Sequence, residues 1–166
     1  MDISKLSNRC HVRYLDRADV GIVLALCGKN SLYYQHCPPT PSEESILRDM
    51  EALPPGKGIA DKYYIGYFQD EALIAVMDLI LGYPDEKTAF IGFFMTDTAV
   101  QNQGIGSRLI EEACSFLCGI GCSRVRLGWV KGNPQAEHFW YKCGFQETGL
   151  SYKTGPYTVI LAQRAL

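Results

Sequence analysis

Short stretches of alternating and periodic apolar residues divide the first third of the chain into one strand and two helices. The segment CHVRYLD (Cys10–Asp16) alternates as a short strand does. Asp19 can cap a helix that continues to about Cys27. The next stretch, KNSLYYQHCPPTPS, contains three prolines and no periodicity, so it predicts a loop. A second helix is expected from Ser42 to about Ala52.

Three apolar stretches joined by short turns follow in the middle of the chain: KYYIGYF, ALIAVMDLIL and TAFIGFFMT. Consecutive strands with such short connections are usually antiparallel neighbours. The third stretch, Thr88–Thr96, is apolar on both faces, which is typical of a strand covered on both sides. The alternation assigns its side chains to two faces, with Phe90 and Phe94 on one and Ile91, Phe93 and Met95 on the other.

A helix follows this central strand after a Gly-x-Gly turn. From Gly106 the apolar positions recur at helical spacing, at Leu109, Ile110, Ala113, Cys114, Phe116 and Leu117. Gly119 is a plausible C-terminal stop. A helix start beside a glycine turn presents unpaired N–H groups and the positive end of the helix dipole, which together suit phosphate oxygens. A tight turn without any ligand is the alternative interpretation.

Two nucleotide-binding motifs do not match this turn. The dinucleotide fingerprint needs a third glycine where Leu109 stands, and Arg124 stands where its acidic ribose ligand is expected. The Gly-Lys-Ser/Thr ending of a P-loop is also missing.

A further helix with clear boundaries comes after the predicted strand RVRLGWV. Asn133 can cap this helix, Pro134 takes its first position and Gly144 ends it.

The order and spacing of these motifs resemble those of a known family. Gln101-x-x-Gly104-x-Gly106, then Asn133-x-x-Ala136 and Gly144-Phe145, are similar to motifs A and B of the GNAT superfamily of N-acetyltransferases. The resemblance covers about Thr88 to Phe145. It implies a mixed α/β fold with a central, largely antiparallel twisted sheet, helices on both faces and splayed central strands. The length of 166 residues suits one domain, residues 1–166.

The resemblance also implies a site for acetyl-CoA as acetyl donor. Backbone amides of the glycine loop would wrap its pyrophosphate, and the amide of Met95, or of its neighbour, would point at the thioester oxygen. The residues implied to bind acetyl-CoA are Phe94, Met95, Thr96, Gln101, Asn102, Gln103, Gly104, Ile105, Gly106, Ser107, Asn133 and Trp140.

The chain departs from the family at the general acid. Members of the superfamily commonly carry a tyrosine seven residues after the motif B asparagine, but that position is Trp140 here and Tyr141 comes next. One residue turns a helix by about 100°, so Tyr141 does not simply replace the missing tyrosine. Trp140 is therefore expected to wall the cofactor slot, and Tyr141 is the candidate acid.

The candidate general base is Asp78, because a carboxylate within the apolar stretch IAVMDLIL must be paired or functional. Two alternatives stay open: Asp78 lies on a solvated sheet face, or it pairs with an arginine such as Arg126. Aromatic and histidine side chains would line the acceptor side by analogy with the family, and they favour an amine with an apolar or aromatic body. These residues are Tyr33, Tyr34, His36, Tyr152 and Tyr157.

Composition limits the classes of partner, the cellular location and the metal sites that are expected for the chain. The net charge of −2 predicts no nucleic-acid partner, and no apolar run is long enough to span a membrane. The seven cysteines form no paired CxxC pattern, which favours reduced thiols and a cytoplasmic location. Cys114 and Cys118 fall on the apolar stripe of the predicted helix, and no cluster has the spacing of metal ligands, so no metal is expected.

The sequence therefore predicts an N-acetyltransferase that moves acetyl from acetyl-CoA to the primary amine of a small molecule by direct attack in a ternary complex. Acetylation of peptide or protein N-termini is the alternative activity. A non-catalytic acyl-CoA-binding domain is the alternative class. A homodimer is left open.

Overall fold

The computed structural model describes residues 1–166. The chain folds into a seven-stranded sheet with helices on both faces. The principal elements are β1 (His11–Tyr14), α1 (Val20–Lys29), α2 (Ser31–His36), α3 (Glu43–Glu51), β2 (Lys62–Gln69), β3 (Ala72–Leu81), β4 (Thr88–Thr96), α4 (Ile105–Gly119), β5 (Arg124–Val130), α5 (Pro134–Lys142), β6 (Gln146–Thr154) and β7 (Tyr157–Ala165). The strand order is β1-β2-β3-β4-β5-β7-β6. Only β4 and β5 are parallel, so the predicted mixed α/β fold with a largely antiparallel sheet is confirmed.

Most predicted elements are present, and one helix and one two-stranded hairpin are additional. Helix α2 occupies part of the stretch that was predicted to be a loop. The hairpin of β6 and β7 completes the sheet beyond β5. The prolines follow α2 instead of interrupting it, which is why a short helix fits there. None of the helices combines the length and the apolar character needed to cross a bilayer.

Each sheet face packs against its own helices. Helices α4 and α5 cover one face, and α1 and α3 cover the other. The buried side chains of α4 are Leu109, Ile110, Ala113, Cys114 and Leu117. The expectation that Cys118 shares this apolar stripe is wrong, because its side chain is exposed one turn beyond Cys114.

A β-bulge in β4 changes which face each of its side chains occupies. Asp78 on β3 pairs with Phe93, but the next residue of β3 pairs with Ile91, so Gly92 is an extra residue. Beyond the bulge, Phe94 shares the α4 face with Ile91, while Phe93 and Met95 pack toward α1 and α3. The face assignment predicted from simple alternation was therefore wrong from Gly92 onward.

The same bulge marks the point where the central strands separate. Parallel pairing of β4 with β5 ends at Ile91 and Leu127. The next residues are Gly92 and Gly128, so neither strand carries a side chain at the apex of the split. Beyond the apex β4 stays paired with β3 and β5 stays paired with β7. The inner edges of β4 and β5 are thus the backbone edges left open.

Side-chain amides fix the end of β4 to the loop that follows it. Asn30, at the end of α1, donates through Nδ2 to the carbonyls of Thr96 at 3.1 Å and Leu26 at 3.0 Å. Gln101 donates through Nε2 to Asn30 Oδ1 at 2.7 Å and to the Thr96 carbonyl at 3.2 Å. Asn30 is buried, so these bonds replace water that cannot reach it. We call Asn30, Thr96 and Gln101 the strand-end clamp.

We expect Gln101→Ala to lower the free energy of unfolding by about 1–3 kcal/mol, because it leaves the buried amide oxygen of Asn30 without this donor. For a chain of this length that corresponds to a fall in Tm of roughly 2–4 °C per kcal/mol. Gln103→Ala is the matched control, since Gln103 lies in the same loop but is exposed and bonds only the Ala99 carbonyl. Calorimetric melting that gives the same Tm for both variants would contradict the clamp.

Candidate active site

A cleft of about 360 Å³ lies beside the free edge of β4, between the glycine loop and α5. All of the predicted cofactor-binding residues line it except Gln103 and Ile105. The structure therefore brings motifs A and B to one cleft, although Asn133 lies 27 positions after Gly106.

The glycine loop carries a run of unpaired backbone donors beside this cleft. Asn102 and Gly104 have positive φ angles of 60° and 74°, which turn the chain sharply into α4. None of the amides of residues 102–107 donates to a backbone carbonyl or a side chain. Such a run of free N–H groups at a helix start suits an anion with several oxygens, such as a diphosphate.

Two further features fit this part of the cleft to coenzyme A. A Cβ atom added to Gly106 would lie 3.2 Å from Phe139 and 3.4 Å from the Thr96 methyl, so a larger residue would have to push these side chains apart. A Cβ atom added to Gly104 would lie 3.8 Å from the Arg108 guanidinium. Lys142 lines the cleft. Both cations suit phosphate groups beside the free amides.

The bulge decides which amides of β4 face the cleft. The Asp97 amide donates to the Ile74 carbonyl of β3 at 2.8 Å. Since backbone groups alternate sides along a strand, the Met95 amide also faces β3. Of the two expected alternatives, Met95 or its neighbour, the register leaves the neighbours with an amide that faces the cleft. The amides of Phe94 and Thr96 lie on the open edge.

Trp140 forms a rigid wall of the cleft. Its side chain is buried and packs against Phe139, Phe145 and Phe94 at centroid distances of 4.9, 5.2 and 6.1 Å. Asn133 begins the same helix, and its Oδ1 accepts the amide of Ala136 at 3.1 Å. Because this cap fixes the first turn of α5, the wall is held against β4.

Tyr141 lies away from the cleft. Its hydroxyl donates to Glu147 Oε1 at 2.7 Å, and its ring meets Trp129 edge-on at 5.6 Å. The hydrogen bond to Glu147 raises the pKa of Tyr141 to about 12. The structure does not bring the candidate acid to the cleft, because one residue along α5 rotates its side chain away from Trp140.

Asp78 forms a buried ion pair on the opposite sheet face. Its Oδ1 accepts from Lys62 Nζ at 2.7 Å, and the same ammonium donates to the Ala52 carbonyl at 2.9 Å. The expectation of an ion pair was correct in kind, but the suggested partner Arg126 instead donates to Gln163. Burial raises the pKa of Asp78, and the Lys62 ammonium partly opposes that rise.

The second carboxylate oxygen of Asp78 faces the apex of the split. A Cβ atom added to Gly92 would lie 2.7 Å from Asp78 Oδ2, and Gly92 itself is exposed. The carboxylate therefore occupies the space that a side chain at position 92 would take. Asp78 does not line the donor cleft, but it lies against the strand that forms one side of it.

Several cleft residues were missed by sequence reasoning: Asn30, Val100, Gln135, Phe139 and Lys142. Asn30 and Val100 belong to no motif, since their positions depend on tertiary contacts. Phe139 has a local signal, because it follows Ala136 by three residues and so shares its face of α5. His138 also lines the cleft, and its side chain is exposed. No three His, Cys, Asp or Glu side chains converge as metal ligands do.

Comparisons with known proteins agree with this geometry. The sequence model of the acetyltransferase (GNAT) family matches residues 30–145. No curated protein sequence matches the chain significantly. Among solved structures, an acetyltransferase from Thermus thermophilus is 21% identical, with a TM-score of 0.74 over 95% of this chain and 97% of that one.

Two further solved structures have the same fold. PaiA N-acetyltransferase from Thermoplasma acidophilum, in complex with coenzyme A, is 18% identical with a TM-score of 0.69, covering 95% of this chain and 99% of that one. The ribosomal-protein-S18-alanine N-acetyltransferase of Escherichia coli is 16% identical with a TM-score of 0.67, covering 94% and 93%. The family match spans more than half of the chain and includes the cleft. The chain therefore belongs to the acetyltransferase (GNAT) family and is an acetyl-CoA-dependent N-acetyltransferase.

Proposed function

We propose that this chain acetylates the primary amine of a small molecule, by direct attack of the amine on acetyl-CoA in a ternary complex. The observation that carries the proposal is the open inner edge of β4, which runs from the free amides of the glycine loop to the apex beside Asp78. One continuous strand thus connects a diphosphate site to a candidate proton acceptor.

Donor binding rests on the backbone in this proposal. The amides of residues 102–107 hold the diphosphate, and the open edge of β4 pairs with the extended arm that carries the thioester. The Phe94 amide donates to the thioester oxygen, where negative charge develops during attack. One such donor contributes about 2.7–4 kcal/mol of transition-state stabilisation.

The proposed proton acceptor is Asp78. An ammonium acceptor gives one proton to the carboxylate, directly or through water, and the free amine then attacks the thioester carbon. The C–N bond forms, the C–S bond breaks, and the electron pair leaves on sulfur. A second proton leaves nitrogen as the amide forms and reaches the thiolate through solvent.

No protein acid is needed at the sulfur in this scheme. A thiol with a pKa of about 8.5 is a tolerable leaving group even without immediate protonation. Holding amine and thioester together lowers the activation barrier by roughly 7–11 kcal/mol. A general acid raises the rate by about 10²–10⁴-fold, which corresponds to a smaller reduction of the barrier. The absence of a tyrosine from the Trp140 position is therefore compatible with catalysis.

Acetyl-CoA turnover measured with a panel of amines tests the proposed function. Release of coenzyme A with small primary amines supports it. Acetylation of peptides alone would show the alternative activity, N-terminal acetylation; the name of the Escherichia coli enzyme describes acetylation of an alanine of a ribosomal protein. Binding of acetyl-CoA without turnover of any amine would show a non-catalytic binding domain.

Gly104→Val should weaken acetyl-CoA binding by tenfold or more, because valine disfavours the φ angle of 74° that aims the loop amides. Isothermal titration calorimetry measures the effect. Gly121→Val is the matched control, since its φ angle of 99° imposes similar strain at the far end of α4, where an added Cβ meets nothing within 4 Å. Equal affinity in both variants would exclude the loop as the diphosphate site.

Tyr141→Phe should leave kcat within about threefold of wild type, because the lost hydroxyl bonds only Glu147. The measurement is kcat at a saturating amine. A hundredfold loss with an unchanged KM for acetyl-CoA would instead place the Tyr141 hydroxyl at the sulfur, since a proton donor contributes about 10²-fold or more.

Asp78→Asn should lower kcat/KM by about 10²-fold or more, because the amide accepts no proton. Only the ionised carboxylate is active, so wild-type activity should rise with pH through the pKa of Asp78, which burial holds above its usual value. The pH profile of kcat/KM should lose this acidic limb in the variant.

The control for Asp78→Asn removes both charges of the buried pair. The single change leaves Lys62 buried without its carboxylate, which destabilises proteins by about 3–5 kcal/mol. The double variant Lys62→Met/Asp78→Asn avoids that unpaired charge. If the folded double variant kept the wild-type pH profile and rate, Asp78 would have no role in proton transfer.

A further inference from the structure

Two aromatic pairs border Gly92 on the sheet face that carries Asp78, and two hairpin tyrosines lie near them. They come from α2, the loop between β3 and β4, β4 itself and the hairpin of β6 and β7. We call this set the aromatic ring: Tyr33, Tyr83, Phe90, Phe93, Tyr152 and Tyr157.

Direct contacts link the part of the ring nearest β4. Tyr33 meets Phe93 edge-on at a centroid distance of 6.1 Å. Tyr83 meets Phe90 edge-on at 5.5 Å. Phe90 and Phe93 lie on either side of Gly92 along β4, so the two aromatic pairs border the point where the Asp78 carboxylate faces outward.

The hairpin tyrosines lie near both aromatic pairs. Burial is the main cause that raises the pKa of Tyr152, and the nearby Tyr83 adds to that rise. A hydrogen bond with Cys37, which follows α2, is the main cause that raises the pKa of Tyr157, and Tyr152 adds to it. The same Cys37 side chain adds to the rise in the pKa of Tyr33 that burial causes.

The charges inside the ring favour a single cation. Asp78 Oδ2 is directed to Gly92, while its other oxygen is held by Lys62. Asp49 is the second carboxylate close by, since its charge acts on Tyr157. Asp49 is exposed and the charge of Arg48 opposes its own, so Asp78 supplies the buried carboxylate at this point.

The rim of the ring carries equal numbers of acids and bases. Asp85, Glu86 and Lys87 lie in the loop that carries Tyr83, and Lys153 follows Tyr152. All four are exposed and form no ion pair. A ligand with several ammonium groups would find one buried carboxylate at the floor and, at the rim, acids whose charge two lysines balance.

We propose that the aromatic ring is the acceptor site and that it selects a monocationic arylalkylamine, with the ammonium over Gly92 against Asp78 and the aromatic body against the ring. The proposal rests on the proposed function for its chemistry. An ammonium gains from one carboxylate and from the faces of aromatic rings. A flat apolar body gains by displacing water from the same rings.

Coenzyme A carries no acetyl group, so calorimetry in its presence measures the binding of an amine without turnover. This measurement tests which amines the ring selects. The probes are 2-phenylethylamine, ethylamine, spermidine and a short peptide with an N-terminal alanine. We expect 2-phenylethylamine to bind about tenfold or more tightly than each of the others. Equal or tighter binding of ethylamine, spermidine or the peptide would overturn the proposal.

Two variants locate the binding. Tyr152→Ala should weaken the binding of 2-phenylethylamine about tenfold and leave the binding of ethylamine and of coenzyme A unchanged. Tyr14→Ala is its matched control, because Tyr14 is 51% exposed against 48% for Tyr152 but lies on edge strand β1. Equal effects of the two variants on 2-phenylethylamine would show that the hairpin is not part of the site.

Gly92→Ala should weaken both monoamines together, because its Cβ displaces the Asp78 carboxylate. Gly58→Ala is the control, since an added Cβ there meets nothing within 4 Å. Unchanged binding of the amines to the Gly92 variant would overturn the placement of the ammonium.

Parallel assays of acetyl transfer separate the two proposals. The selectivity expected for 2-phenylethylamine without any acetylation would contradict the proposed function and leave the ring as a binding site. Faster acetylation of spermidine than of 2-phenylethylamine would contradict the ring and leave acetyl transfer to a small amine intact.

Discussion

The end of hydrogen bonding between β4 and β5 is the constraint on which the rest of the site depends. Pairing stops at Ile91 and Leu127, and Gly92 and Gly128 leave the apex bare. The bulge at Gly92 then sets which amides face the opening. If β4 continued its regular pairing with β5, the inner edge would be saturated and no cleft would exist between the strands.

The two sheet faces divide the chemistry around this opening. On one face the glycine loop, α4 and Trp140 of α5 provide free amides and an aromatic wall. On the other, the buried pair of Lys62 and Asp78 directs a carboxylate oxygen to Gly92. The strand-end clamp fixes β4 to the glycine loop, so the free amides and the Asp78 carboxylate lie along a strand held in place at its end.

Local signals explain which features the sequence could predict. Asn133 and Pro134 identify the start of α5, and the periodic apolar stripe identifies α4, because caps and periodicity depend on neighbouring residues. The bulge at Gly92 was missed, since its register depends on pairing between distant strands. The ion-pair partner Lys62 was missed for the same reason, because it lies on β2 while Asp78 lies on β3.

The most direct test of the account is amide hydrogen exchange of β4, measured by NMR with and without acetyl-CoA. In the free protein the Met95 amide should already be protected by β3, while the Phe94 and Thr96 amides exchange faster. Acetyl-CoA should slow exchange at Phe94 and Thr96 and change Met95 little. Protection of Phe94 in the free protein, or no slowing at either open-edge amide on binding, would contradict the assignment of the β4 edge as the donor site.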